Sequence, residues 1–416
     1  MREMKDSGFK WLREIPKNWD LLKIKNGFSR KKAKALQDDP IVLSLARSGV
    51  KVRDISTNEG QLAASYYEYN PVAVNDMLLN PMDLQSGANC SISKVNGVIS
   101  PAYINLRHKK GFNPEFYDYY FKYQYWSYAF FTYGKGVSFD NRWTLNEDTL
   151  MNLPLLVPNK EEQDLIAKFL NKKYAEIDGI TKDLQKQIDT LENYKKSVIT
   201  EAVTKGLNPT SDYNCNVKQW FGKIPRHWVV SRIAAIYKLR NSKVNDRDYP
   251  PLSVTMQGVV PQLENVAKSD AHDDRRLVCK GDFVINSRSD RRGSCGIAFT
   301  EGSVSLINTV LCPLTNMNAR YYNWLFHTVE FADEFYKWGH GIVDDLWTTN
   351  WQDMKNVLIP SPPIQEQKEI ANYLDNKCAE IDEIIKSKKD QLEIIEEYKK
   401  SLIYEYVTGK KEVKNA

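Results

Sequence analysis

Few side chains in this sequence stand at spacings that could do covalent chemistry. Glu397-Tyr-Lys399 has the carboxylate-x-lysine spacing of some metal-dependent nucleases. No metal-binding Asp cluster precedes it, however, and an internal copy of the segment carries Asn193 instead, so it reads as a solvated helix face. Gly134-Lys-Gly136 is not a phosphate loop, which needs Gly-x-x-x-x-Gly-Lys-Ser/Thr, and no Gly-rich turn opens a nucleotide-binding domain. The five His have no ligand spacing. The six Cys, Cys90, Cys215, Cys279, Cys295, Cys312 and Cys378, include no Cys-x-x-Cys pair. Neither a metal site nor a disulfide framework is expected, and a reducing cytoplasm is the expected location. No catalytic residue is assigned.

The elements that would position any site are duplicated. Trp11-Leu-Arg-Glu-Ile-Pro-Lys-Asn-Trp19 returns as Trp220-Phe-Gly-Lys-Ile-Pro-Arg-His-Trp228. Asn75-Asp-Met-Leu-Leu-Asn80 parallels Gly281-Asp-Phe-Val-Ile-Asn286, and Leu155-Leu-Val-Pro158 parallels Val357-Leu-Ile-Pro360. Asn113-Pro-Glu-Phe116 is one residue short of the Asn-Pro-Pro-aromatic motif of amino-methyltransferases. Its copy, Asn318-Ala-Arg-Tyr321, loses the first Pro as well, so both read as helix starts. From Glu162 to Thr204 the chain aligns without a gap on Glu366 to Thr408, with about half the positions identical.

That last segment reads as a long helix in each copy, entered after Pro and ended before Gly206 or Gly409. Its near-heptad apolar positions are Ile166, Leu170, Ile177, Ile180, Leu184, Leu191, Tyr194 and Val198, then Ile370, Leu374, Ile381, Ile384, Ile395, Tyr398 and Leu402. Roughly 40 residues make a rod of about 60 Å, and a rod with one apolar stripe needs a partner. Antiparallel pairing of the two copies is the simplest arrangement. Lys173, Lys377, Gln187 and Gln391 fall on the same stripe. Either the period is imperfect there, or these polar residues, Gln187 opposite Gln391 above all, set the register.

The predicted fold class is α+β: two mixed α/β heads at 1–158 and 207–362, with helices at 159–206 and 363–410 pairing as an antiparallel coiled coil, and a tail at 411–416. Short strands such as Ile41–Leu45 and Phe283–Asn286 sit between Gly, Asp, Asn and Pro breakers. The aromatic-rich segment from Pro114 to Tyr133 is read as helix, with its rings in the core rather than stacked on bases.

In its whole length the arrangement resembles the specificity subunit of type I restriction-modification systems. The resemblance rests on the Trp-x-x-x-Ile-Pro-x-x-Trp entry of each half and the Pro-rich exit followed by Glu-Gln-x-x-Ile-Ala. It rests also on the recurring Ala175-Glu-Ile-Asp178 and Tyr194-Lys-Lys-Ser197 blocks, which return as Ala379-Glu-Ile-Asp382 and Tyr398-Lys-Lys-Ser401. It implies two target recognition domains, each reading half of a split, asymmetric sequence in double-stranded DNA. Helices that space the half-sites and dock two methyltransferase subunits are implied too, with restriction subunits joining that complex. The chain itself would hold no cofactor; S-adenosylmethionine, ATP and Mg are expected in the partner subunits. On that reading loop chemistry nominates DNA contacts. Arg288, Arg291 and Arg292 suit guanine edges or phosphate, and Asp290 could accept from cytosine. The matching loop of the first half offers Gln85 and Ser86. Arg47 and Ser48 match Met256 and Gln257 by position, and Lys135 and Arg142 lie near the loop that matches His340.

Bulk properties are compatible with this and decide little. The net charge of +5 permits phosphate binding without demanding it. No apolar run approaches the ~20 residues that cross a bilayer, and no membrane association is expected. Two rivals remain: an enzyme, a methyltransferase or nuclease with an unrecognised site, and a coiled-coil scaffold without a nucleic-acid role.

Overall fold

The computed structural model describes residues 2–56, 63–85, 89–136, 143–208, 212–214, 219–263, 272–288, 291–314, 317–341 and 347–413. The chain divides into two compact units, Met1–Leu184 with Asp390–Ala416, and Gln185–Lys389. Each holds one α+β head and parts of two long helices, Lys160–Lys205 and Ile364–Val407.

Both heads are built on a four-stranded antiparallel sheet of the same strand order. In the first it runs Phe28–Arg30, Ile104–His108, Met77–Leu79, Cys90–Ile92. In the second it runs Tyr237–Leu239, Asn308–Pro313, Phe283–Asn286, Cys295–Ile297. Strand alternation sends successive side chains to opposite faces. Met77 and Leu79 therefore join the main core, while Leu78 joins a smaller layer with Leu43, Val72 and Ile99. Phe283 and Ile285 likewise enter the main core of their head, and Val284 packs with Leu252, Val278 and Val304. Burial on both faces explains the unbroken apolar runs of these strands.

Over the main core lies an aromatic helix, Pro114–Trp126 in the first head and Ala319–Phe326 in the second. Asn113 and Asn318 cap them, Asn113 accepting from the backbone N–H groups of Glu115 and Phe116 and Asn318 from that of Tyr321. The rings of Phe116, Tyr117, Tyr120 and Phe121 are core, as those of Tyr321, Tyr322 and Phe326 are. Tyr hydroxyls then satisfy backbone carbonyls: Tyr117 donates to Leu156 at 3.0 Å, Tyr120 to Pro154 at 2.9 Å and Tyr321 to Val203 at 2.8 Å.

The recurring motifs turn out to join head to helix. Trp19 Nε1 donates to Glu162 at 2.9 Å, and Trp228 Nε1 to Glu366 at 2.8 Å. The next residue, a buried Gln, spans two backbone groups. Gln163 accepts from Asn113 N–H at 2.8 Å and donates to Pro158 at 2.9 Å; Gln367 does the same with Asn318 and Pro362, both at 2.8 Å. Each unit is closed by a left-handed glycine at a helix C-terminus. Gly206 (φ 77°) packs on Trp228, and Gly409 (φ 71°) on Pro16 and Trp19, where any Cβ would collide.

Within each unit the helix segments run antiparallel. In the first, Phe169 stacks on Tyr406 and Tyr174 donates to the Lys399 carbonyl; in the second, Lys195 pairs with Asp382 and Glu192 with Lys389. The buried stripe differs by one position from part of the sequence expectation. Ala167, Leu170, Ile177, Leu184, Ile188, Val198 and Ala202 are buried, and so are Ala371, Leu374, Cys378, Ile381, Ile385 and Leu402. Leu191 and Ile395 are half-buried on the same stripe, and Ile166 and Ile370 are buried against the heads. Ile180 and Ile384 are instead 53% and 47% exposed, and Gln187 and Gln391 are exposed as well. They occupy the neighbouring heptad position, beside the seam, so Gln187 meets Lys388 Nζ at 2.6 Å and the idea of buried glutamines setting the register is not upheld. Polar residues on the seam include Thr181, Lys388, Lys195 and Lys399. Lys399 contacts Asp178 at 2.6 Å and lies over the Tyr174 ring, and Lys195 contacts Asp382 at 2.6 Å. The Ala-Glu-Ile-Asp block of one helix thus faces the Tyr-Lys-Lys-Ser block of the other, once in each unit.

Candidate nucleic-acid interface

In both heads the loop leaving the central strand is pinched at its base and shaped by an Asn. Asn80 N–H bonds the Asn89 carbonyl at 2.9 Å while its side chain accepts from Met82 N–H. Asn286 N–H bonds the Ser294 carbonyl at 2.9 Å and its side chain accepts from Arg288 N–H. Such Asx turns fix the direction in which a loop leaves its strand.

A second segment packs beside each loop. In the first head Lys135 bridges Thr144, and Leu145 N–H reaches the Pro81 carbonyl at 2.9 Å. In the second, Thr348 bridges both His340 and Arg288, and Thr349 N–H reaches the Ser287 carbonyl at 3.0 Å. The structure therefore gathers Arg288, Arg291, Arg292 and His340 at one end of the second head, and Lys135 with the loop carrying exposed Gln85 at the same end of the first. Ser86, Arg142 and Asp290 lie outside the described residues.

These cations differ in what holds them. Arg292 is ion-paired with Asp333 and lies 5.3 Å from the Tyr336 ring centroid, and Tyr336 Oη donates to the Arg288 carbonyl at 2.7 Å. Arg292 and Tyr336 thus brace the loop. His340 is near Asp353 at 3.3 Å and Asn350 at 3.4 Å, so it too has local partners. Arg288, Arg291, Arg292 and His340 are all exposed.

The hairpin turns sit elsewhere on each head. The turn between Leu43–Ala46 and Gly49–Val52 places Ser48 on a recess of about 500 Å³ that also holds Glu115, Asp118 and Asp178. Lys94 and Lys122 line the same recess, Lys122 paired with Asp118, and the exposed Arg47 belongs to that turn, away from Lys135 and Gln85. Its counterpart places Gln257 beside Met256, which is 67% exposed, with Gly258 Cα against Gly296.

One residue was missed. Arg276, on the strand Arg275–Val278, lines a groove of about 560 Å³ together with Arg288. The signal for it was two adjacent Arg in an otherwise apolar strand: alternation sends Arg275 to Ser303 at 2.8 Å and Arg276 to the opposite face. No group of metal-ligating side chains occurs among the described residues, and among them no helix is long and apolar enough to cross a membrane. Glu397 and Lys399 are drawn apart, to Lys400 and to Asp178, both at 2.6 Å.

Residues 225–394 match the family model described as the type I restriction modification DNA specificity domain. That segment, somewhat less than half of the chain, is therefore similar to the DNA specificity domain of type I restriction-modification systems. Among curated proteins the chain is 26% identical over 302 residues to the putative type I restriction enzyme MjaX specificity subunit of Methanocaldococcus jannaschii. It is 24% identical over 287 residues to the MjaVIII specificity subunit of the same organism. Those matches cover 66% and 64% of this chain and 63% of each relative, so the chain spans somewhat less than two thirds of their length. A structure solved in work on complex assembly and conformational transition of the type I R-M system has the same fold. Its TM-score is 0.69 at 12% identity, covering 94% of this chain and 98% of that one.

Proposed function

We propose that this chain reads a bipartite, asymmetric DNA sequence, one half-site per head, and directs adenine methylation and restriction carried out by partner subunits. The observation that carries this is a contrast within the duplication. Contacts that hold each head to its helices recur residue for residue (Trp19–Glu162 and Trp228–Glu366; Gln163 and Gln367), whereas the loops at one end of each head share position and not chemistry. Framework residues orient a reader and loop residues choose bases, so two half-sites of different sequence call for this arrangement.

In this reading Arg288 and Arg291 address guanine edges or backbone phosphate in one half-site, while Gln85 and Lys135 serve the other. The heads are 1–158 and 207–362, and helices 159–206 and 363–410 fix half-site spacing, at about 3.4 Å of duplex rise per base pair. Partner docking falls to the side of each helix bearing exposed apolar residues at equivalent positions: Ile180 and Tyr194, Ile384 and Tyr398. Exposed apolar residues shared by both copies suit a protein interface. Two methyltransferase subunits there would bring S-adenosylmethionine, and restriction subunits would bring ATP and Mg chemistry in the cytoplasm; the chain itself does no catalysis.

Methylome sequencing of cells with and without the chain tests the reading. A bipartite motif should lose methylation when the chain is absent. An unchanged methylome, or purified chain that methylates DNA without added subunits, would overturn it.

A further inference from the structure

The two heads treat one groove in opposite ways. In the first, Arg30 ends the edge strand of the sheet and meets Glu147 at 3.3 Å, with Lys32 on the same carboxylate at 3.0 Å. Matching strand order and register put Leu239 at the place of Arg30, since each faces the equivalent leucine of its neighbour, Leu311 and Leu106. Trp351 stands at the place of Glu147, one residue after the helix-capping Asn in each head. The second head therefore has an apolar pair where the first has an ion pair.

Into that apolar setting comes Arg276. Its equivalent is Asn70, because Val278 pairs with Gly302 as Val72 pairs with Gly97. Arg276 shares a strand face with Val278 and Val304, both fully buried, so its stem leaves from the edge of a packed layer. Its Nε is buried and has no hydrogen-bond partner among the described residues. Burial pulls its pKa down, with no anion acting against it among the described residues, yet a guanidinium remains charged. The side chain is half-buried, so part of its charge is desolvated without a counter-charge, a cost that is relieved when an anion enters the groove.

The groove's shape and lining name the anion. Among the described residues that line it there is no carboxylate; Arg276 and Arg288 stand with the hydroxyls of Ser287 and Thr348. Arg and hydroxyl side chains are the usual partners of backbone phosphate. Base edges lie inside the DNA grooves and are reached by protruding elements, whereas a recess accepts the convex phosphodiester strand.

We propose that Arg276 grips a backbone phosphate of the DNA, an anchor the second head has and the first lacks. This rests on the reading that the heads bind DNA. The test compares the assembled methyltransferase complex carrying wild-type chain, Arg276→Gln or Arg276→Lys, titrated with target and scrambled duplexes across a salt series. Arg276→Gln should weaken both duplexes alike, about 10-fold, and lower the slope of log K against log salt by about 1. Arg276→Lys should keep the slope, and the methylated motif should not change in either. Equal affinity and slope for Arg276→Gln and wild type would overturn the grip alone, as would a loss confined to one base position, which marks base reading. If wild type itself does not discriminate target from scrambled duplex, the DNA-reading function falls with it.

Discussion

Comparison of the two heads separates what the duplication holds constant from what it lets vary. The aspartate of Asn75-Asp76 and Gly281-Asp282 is buried in both heads and accepts a backbone N–H three residues back, from Ala73 or Cys279. Each Asp is gripped in two-pronged fashion by an Arg: Asp76 by Arg107 at 2.7 and 2.9 Å, Asp282 by Arg240 at 2.5 and 2.9 Å. Arg107 comes from the neighbouring strand, but Arg240 follows the edge strand, at the place of Lys31 in the first head. The requirement is for a bound cation over a buried carboxylate, and either strand can supply it. Chemical need is retained while residue position drifts. The loops at one end of each head show the reverse, constant position with changed chemistry.

The largest expected effects come from breaking those Arg–Asp pairs. Removing one partner of a buried pair leaves an uncompensated charge and costs about 3–5 kcal/mol. Arg240→Ala should fall in that range. Arg107→Ala should cost roughly 1 kcal/mol less, because Lys31 Nζ already lies 3.9 Å from Asp76 and can move in. Local unfolding of each unit, followed by hydrogen exchange, measures both. Equal losses would mean that Lys31 gives no relief and that the two grips are not alternatives.

The glutamine clamps should behave identically in the two heads. Gln163→Leu and Gln367→Leu each strand a buried N–H and a carbonyl, at about 2 kcal/mol. A difference well beyond 1 kcal/mol in the same exchange measurement would break the claim that framework contacts are equivalent.

Smaller effects belong to the seam. Lys399–Asp178 and Lys195–Asp382 are partly exposed pairs, each worth about 0.5 kcal/mol. Charge reversal at Lys399 alone should lower the melting temperature slightly, and adding Asp178→Lys should restore it. Failure of the double exchange to recover would show that the ring of Tyr174 under Lys399, and not the carboxylate, holds that lysine.

Duplication, fold class and the two rods were legible in the sequence because recurrence and heptad period are properties of residue order. Recurring Trp, Glu and Gln were visible as well, though their task of tying head to helix needed the distances. The stripe was read one position off at Ile180, Gln187, Ile384 and Gln391, because a period between 3.5 and 3.6 lets two adjacent heptad positions compete, and at Ile384 and Ile385 both are apolar. The groove was less accessible still. Arg30 and Glu147 are far apart in sequence, and nothing in residue order says that Leu239 and Trp351 take their places. Arg276 was passed over for the loop arginines, since the lack of a partner for its Nε among the described residues is a fact of three dimensions.

The smallest expected effect on the fold is the most informative about the helices. Ile384 lies beside the seam and is 47% exposed, whereas its neighbour Ile385 is buried. Ile384→Ser should change stability by less than about 0.5 kcal/mol, as surface substitutions usually do. Ile385→Ser removes buried apolar volume and should cost about 2–3 kcal/mol or more. If the exposed side serves partner docking, Ile384→Ser should reduce recovery of the methyltransferase subunits in co-purification while the melting curve stays put. Loss of stability at Ile384 equal to that at Ile385 would put both on the seam. Unchanged recovery with Ile384→Ser, and again with Tyr398→Ser, would leave that side of the helix without the docking role.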